Sequence, residues 1–216
     1  MTLAIFDLDG TLIDGQSQKY LIDYFYKNKL IGRFDYFYIL IWFVGYKLGF
    51  LKDPRYILEY AFKIIKGKNV IEMEKLMKEF FCSSLKSFLN LKVVEKLREH
   101  QNRKDKIFLV SNAVKPLVQV VSSELGIENI IATELEEENG LYTGKINGEI
   151  VYGREKVKRL REIFNEENLN QAYAYADHKS DESLLEIVKY PFLVNPSVKA
   201  KNYYINNFKN KNLQIL

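Results

Sequence analysis

Asp7 and Asp9 lie one residue apart in the stretch Ile5-Phe6-Asp7-Leu8-Asp9-Gly10-Thr11. The apolar run Leu3–Phe6 before them reads as a short buried strand, and Gly10 lets the chain turn at its end. Side chains alternate along a strand, so the two carboxylates point the same way. Two like charges side by side are unfavourable unless a cation or a shared proton compensates. A hard divalent cation with oxygen ligands is the simplest compensation. Asp-Gly by itself is also a common turn, so the pair gains chemical meaning from residues elsewhere in the chain. The candidates are Ser111, Lys156, Asp177 and Asp181. Carboxylates, a hydroxyl and a cation in one place form a set able to handle a phosphoryl group. Each alone also has a plainer reading: a helix cap for Ser111, a turn for Asp177, a helix start for Asp181, a solvated helix lysine for Lys156.

The elements that must position these residues follow from hydrophobic periodicity. Ile107–Val110 is a second buried strand, ending at Ser111-Asn112. Pro116 opens a helix that Gly126 closes. Ile130–Ala132 reads as a third strand, and Leu141–Val151, with Gly144 and Gly148 between short apolar pieces, as a β-hairpin. Arg154–Phe164 is an amphipathic helix carrying Lys156 near its start. Ala172–Ala176 is a fourth strand followed by Asp177, Ser180–Val188 a helix, and Phe192–Val194 a fifth strand. Strands alternating with helices predict an α/β fold, a mostly parallel sheet covered by helices on both faces. Ligands bind beyond the carboxyl ends of such strands, where the polar residues above would meet in one crevice.

Residues 15–90 differ in character and read as helical throughout. Helical spacing of Tyr20, Leu21, Tyr24, Phe25 and Leu30 marks a first helix. Asp53-Pro54 is a helix start, with that helix running to about Lys66, and another covers Val70–Leu89. The stretch holds 13 Lys+Arg against 7 Asp+Glu and 18 of the 30 aromatic residues, a shift that marks it as an insertion with its own role. Phe34–Leu51 is apolar on all sides, which predicts a buried helix, with contact to a membrane surface or a partner as the alternative. Its uncharged part, Tyr36–Tyr46, is too short to span a bilayer, which takes roughly 20 residues.

Composition narrows the function. A net charge of +4 is too mild to imply nucleic acid. One cysteine, Cys82, excludes an intrachain disulfide and suits a reducing cytoplasm. With His100 and His178 as the only histidines, a structural zinc site is not expected. His100 reads as a helix-end residue. No signal peptide is expected, because the first apolar run is short and meets Asp7.

These motifs resemble the haloacid dehalogenase superfamily of phosphatases, in the branch that contains phosphoserine phosphatase. Asp7-Leu8-Asp9-Gly10-Thr11 is similar to its first motif, Ser111 to its second, Lys156 to its third, and Asp177 with Asp181 to its fourth. Val194-Asn195-Pro196 is similar to a segment that follows. The resemblance implies a Rossmann-like sheet domain built from residues 1–14 and 91–216, and a helical cap formed by 15–90. It implies hydrolysis of a phosphate monoester through an aspartyl-phosphate. In that scheme Asp7 attacks phosphorus and Asp9 acts as acid, then base. Asp7, the Asp9 carbonyl, Asp177 and Asp181 serve Mg2+. Gly10, Thr11, Ser111, Asn112 and Lys156 hold the phosphoryl group. Two positions depart from the family pattern: Asn112 stands where a small residue is usual, and His178 where serine is usual. The acid that meets an ammonium in phosphoserine phosphatases has no clear counterpart, because the first glutamate is Glu59. The expected substrate is therefore a phosphorylated small molecule of unspecified identity. A lipid phosphate is the alternative, and the basic, aromatic cap would suit one.

Overall fold

A computed structural model describes residues 2–47, 55–208 and 212–216. The chain runs β1 (Leu3–Phe6), α1 (Ser17–Lys27), α2 (Arg33–Lys47), α3 (Arg55–Phe62), α4 (Val70–Ser83), α5 (Leu91–Asn102), β2 (Lys106–Val114), α6 (Lys115–Leu125), β3 (Asn129–Glu138) and β4 (Leu141–Asn147). It continues through α7 (Arg154–Arg161), α8 (Glu166–Leu169), β5 (Tyr173–Ala176), α9 (Glu182–Ile187), β6 (Tyr190–Leu193), α10 (Val198–Asn207) and β7 (Gln214–Ile215). Among the described residues one sheet forms in the order β4-β3-β2-β1-β5-β6-β7. Every neighbouring pair is parallel except β3 with β4. β1 is central, and its two neighbours lead the chain away in opposite directions. That reversal opens a crevice at the carboxyl end of β1.

Alternation along the strands sorts the core into two layers. Ala4, Phe6, Leu109, Tyr175 and Phe192 face one side, with α5 and α6. Leu3, Ile5, Phe108, Val110, Ala174 and Ala176 face the other, with α7 and α9. Both faces are covered, so these strands read as continuous apolar runs. Phe6 stacks on Tyr175 with ring centroids 4.4 Å apart, a contact worth about 0.5–1.5 kcal/mol beyond its buried area. Gly126, left-handed at φ 68°, ends α6 as expected.

Several expectations need correcting. The hairpin does not lie within Leu141–Val151. It joins β3 to β4 across Asn139-Gly140, both left-handed at φ 53° and 76°. Asn-Gly supplies that turn at little steric cost, and β3 extends through the acidic run Glu134–Glu138. β2 does not stop at Ser111-Asn112 but continues to Val114 across a register shift against β3. The final helix and strand, α10 and β7, had no clear periodicity to announce them. The expected start at Asp53-Pro54 lies outside the described residues, as does the end of the apolar run at Leu48–Leu51. The helix after it gives way to a 3-10 turn at Lys63–Ile65.

The described residues of 15–90 add no strand to the sheet. Their two ends are tied together beside it: Asp14 N–H donates to the Phe88 carbonyl at 2.7 Å, and Asn90 N–H to the Leu12 carbonyl at 2.9 Å. α4 packs on α6, and α3 packs on β4. α2 lies outermost, against α1 and α3. It is not buried all round: Ile39 is enclosed, but Phe34, Phe37, Tyr38, Ile41 and Val44 are exposed. Its mostly apolar composition hid which face would be covered.

Candidate active site

The loop after β1 brings the first acids into the crevice. Asp7 N–H donates to the Tyr175 carbonyl at 2.9 Å, which fixes the end of β1 against β5. Gly10 follows in a left-handed turn at φ 75°, its N–H donating to the Gly15 carbonyl at 2.9 Å. A Cβ at Gly10 would lie 2.1 Å from Asp177 Oδ2. Position 10 is therefore glycine for two reasons: the turn, and the close approach of Asp177.

Asp9 is buried, and its Oδ1 accepts from the backbone N–H of Ser17 at 2.6 Å. Ser17 opens α1, so the carboxylate meets an unpaired amide at the positive end of a helix. Asp9 Oδ2 has no hydrogen-bond partner. Burial raises the Asp9 pKa, against the Ser17 hydrogen bonds and the Lys156 charge. This Asp9–Ser17 link was not legible in sequence, because it depends on where α1 begins relative to the β1 loop. The eight-residue separation matches no local capping pattern.

Lys156, in the first turn of α7, is 3% exposed. Its Nζ lies 2.7 Å from Asp7 Oδ1 and 2.6 Å from Asp181 Oδ1. Burial works against the ammonium, but Asp181 and Asp7 outweigh it and hold the Lys156 pKa up. Burial, then Asp181, pushes Asp177 up to about 7. Asp7 is raised well above the carboxylate range, chiefly by burial, despite Lys156. Asp177 follows β5, and Asp181 ends a 3-10 turn, Lys179–Asp181. His178 caps that turn, its Nδ1 accepting from Ser180 N–H at 3.2 Å. The histidine that departs from the family pattern is thus a local structural link, and it is exposed.

Carboxylate oxygens of Asp7, Asp177 and Asp181 lie within 4.8 Å of one another. Among the described residues one ammonium faces three acids there, and burial first, then the neighbouring acids, raises Asp7 and Asp177. This all-oxygen set fits a hard divalent cation such as Mg2+. The Asp9 carboxylate is not in the cluster. It points to α1, so a ligand from Asp9 would have to be its carbonyl.

Ser111 and Asn112 sit on the irregular part of β2, which lies beside β1. Bulges of this kind re-aim side chains next to active sites. Ser111 is fully buried and its Oγ accepts from Ala113 N–H at 3.1 Å. The Asn112 carbonyl accepts from Thr133 Oγ1 at 2.9 Å. Thr11 is also buried, its Oγ1 without a hydrogen-bond partner. Beneath the site, His100 is buried between Asp105, 2.8 Å from Nδ1, and the Tyr175 hydroxyl, 2.9 Å from Nε2. Sequence placed His100 at a helix end but gave no sign of these partners, which come from β5 and the loop before β2.

A family description, haloacid dehalogenase-like hydrolase, matches residues 4–186. A histidinol-phosphatase of Neisseria meningitidis serogroup C (strain 8013) is 28% identical over 225 residues, spanning 96% of this chain and 99% of that one. The fold is similar to that of a protein of unknown function from Bordetella pertussis Tohama I, with TM-score 0.87, 24% identity, and coverage of 100% of this chain and 99% of that chain. It is also similar to a phosphoserine phosphatase solved as a phospho-aspartyl intermediate analogue, with TM-score 0.64, 19% identity, and coverage of 99% and 92%. The match over residues 4–186 takes in Asp7, Asp9, Ser111, Lys156, Asp177 and Asp181, and with it the chain belongs to the haloacid dehalogenase-like hydrolase family.

Proposed function

We propose that this phosphoric monoester hydrolase works through Asp7 as nucleophile and Asp9 as general acid and base. Asp7 attacks phosphorus, and the bond from phosphorus to the ester oxygen breaks as the aspartyl-phosphate forms. Asp9 gives its proton to the departing alkoxide. Burial raises the Asp9 pKa, which suits a carboxyl that must arrive protonated. The same carboxylate then takes a proton from water, which attacks the phosphoryl group and releases Asp7. Lys156 holds Asp7 in place and offsets negative charge as it moves onto the phosphoryl oxygens. Ser111, the Asn112 backbone, Gly10 and Thr11 border the space for those oxygens. Asp7, Asp177 and the Asp9 carbonyl would hold Mg2+, with Asp181 beside them. When bound it supplies positive charge that screens the repulsion between carboxylate and phosphate.

The observation that carries this reading is the buried Lys156 ammonium bridging Asp7 and Asp181 beside Asp177. Residues 15–90 act as the cap. Their first helix supplies the amide that holds Asp9, so cap position and acid–base geometry are coupled. Histidinol phosphate and phosphoserine, which give two similar proteins their names, are both monoesters of small primary alcohols. A monoester of that class is the substrate we favour.

The test is acid-quenched turnover of an aryl phosphate with Mg2+, followed by peptide mass spectrometry. Phosphate is expected on Asp7, and Asp7→Asn is expected to abolish turnover while keeping the fold. A label on another residue, or full activity in the Asn variant, would overturn the mechanism.

A further inference from the structure

The exposed side chains of α2 are not scattered. Phe34, Phe37, Tyr38, Ile41 and Val44 recur at three- and four-residue intervals, so they form one stripe along the helix. Phe34 is 78% exposed and Ile41 70% exposed, values unusual for large apolar residues that follow one another on a single face. The opposite face is used: Ile39 is buried, Tyr36 stacks on Tyr26 and donates to Asp23, and Tyr38 meets Tyr60 at its edge.

The charges around the stripe say what could cover it. Lys27 and Lys29 are exposed just before α2, and Arg33 begins it, the guanidinium 5.1 Å from the Phe34 ring centroid. The one acid in α2, Asp35, accepts from the Tyr60 hydroxyl at 3.4 Å and so faces α3. A matching surface must be apolar opposite the stripe and anionic opposite the start of α2. A second copy of this chain fails that requirement, because its matching stripe brings no acid for those cations: Asp35, the one acid in α2, faces α3. An anionic lipid surface meets it. Among the described residues no helix, α2 with its 15 residues included, is long and apolar enough to cross a bilayer.

We propose that α2 docks the protein flat on anionic membranes, with the stripe entering the headgroup region and the flanking cations meeting acidic lipids. The docking does not depend on the identity of the substrate, and its readout is separate from turnover.

The test is co-sedimentation of the full chain with vesicles of phosphatidylcholine alone and of an equimolar phosphatidylcholine–phosphatidylglycerol mixture. Binding to the mixed vesicles, weakened by salt, is expected. The double variant Phe34→Ser/Ile41→Ser should lower the partition coefficient about tenfold or more with no change in unfolding midpoint, since both residues are exposed. Arg33→Glu should weaken binding to mixed vesicles and leave the phosphatidylcholine baseline alone. Failure of the native chain to bind mixed vesicles overturns the proposal, whether it sediments as a monomer or as a dimer that the double variant dissociates. Equal binding to both vesicle types overturns the electrostatic part.

Discussion

Replacing Lys156 by Met removes the ammonium that bridges Asp7 and Asp181 while keeping an unbranched side chain of similar length. At 2.7 and 2.6 Å, each contact has a Coulomb attraction of about 6 kcal/mol at an effective dielectric near 20. Desolvation of the buried ammonium takes back much of this. Removing one partner of a buried pair nevertheless costs about 3–5 kcal/mol, because the carboxylates stay behind uncompensated. Against a total stability of roughly 5–15 kcal/mol, that is a large loss. Its pH dependence has a definite sign. Without Lys156, which lowers it, the Asp7 pKa rises further, and protonation relieves the unpaired charge. The loss should therefore be largest near pH 8 and shrink toward pH 5. The assay is urea unfolding of both proteins in chelator across that range. Lys156→Met/Asp181→Asn should recover a large part of the deficit, since it removes one stranded carboxylate. An unfolding free energy within about 0.5 kcal/mol of native at pH 8, or an equal loss at pH 5 and pH 8, would refute the reasoning.

Gly10→Ala should lower turnover about a hundredfold or more, because the new Cβ overlaps the Asp177 carboxylate at 2.1 Å; calorimetry should show Mg2+ affinity falling with it, and near-native kinetics would contradict the close approach. Asp177, pushed up to about 7 by burial and then Asp181, should make the metal-free protein less stable as pH rises from about 4 to about 7, by on the order of 3 kcal/mol. The sign follows because its folded pKa lies above the unfolded one, so ionisation is disfavoured in the native state. Comparison with Asp177→Asn isolates the group: the variant should be the more stable protein at pH 8 in chelator and converge with native toward pH 4, and a native protein more stable than the variant at pH 8 would sink the idea. Mg2+ should raise the native melting temperature more at pH 8 than at pH 5, since binding requires the ionised acid; an equal or reversed increment would count against Asp177 as a ligand.

Local features were legible because local chemistry sets them. The run Leu3–Phe6 reads as a buried strand, Gly10 lets the chain turn at its end, and Pro116 and Gly126 bracket a helix. The order of strands and helices fixes a parallel sheet, and the sheet gathers strand ends, which is why Asp7, Ser111 and Asp177 could be named together. The Asn139-Gly140 turn was equally local, yet the acidic residues beside it masked the strand it closes. What the chain alone could not decide is which of its surfaces meet. Lys156 bonds an acid 149 residues away, and apart from the motif it resembles, helical periodicity alone reads it as a solvated lysine. Asp9 is held by an amide whose position depends on the start of α1, and His100 by a hydroxyl on β5. The apolar face of α2 was the hardest case. Periodicity identifies a covered face only by contrast with a polar one, and this helix offers almost none, so only packing could decide that Ile39 turns inward and Phe34 and Ile41 face out.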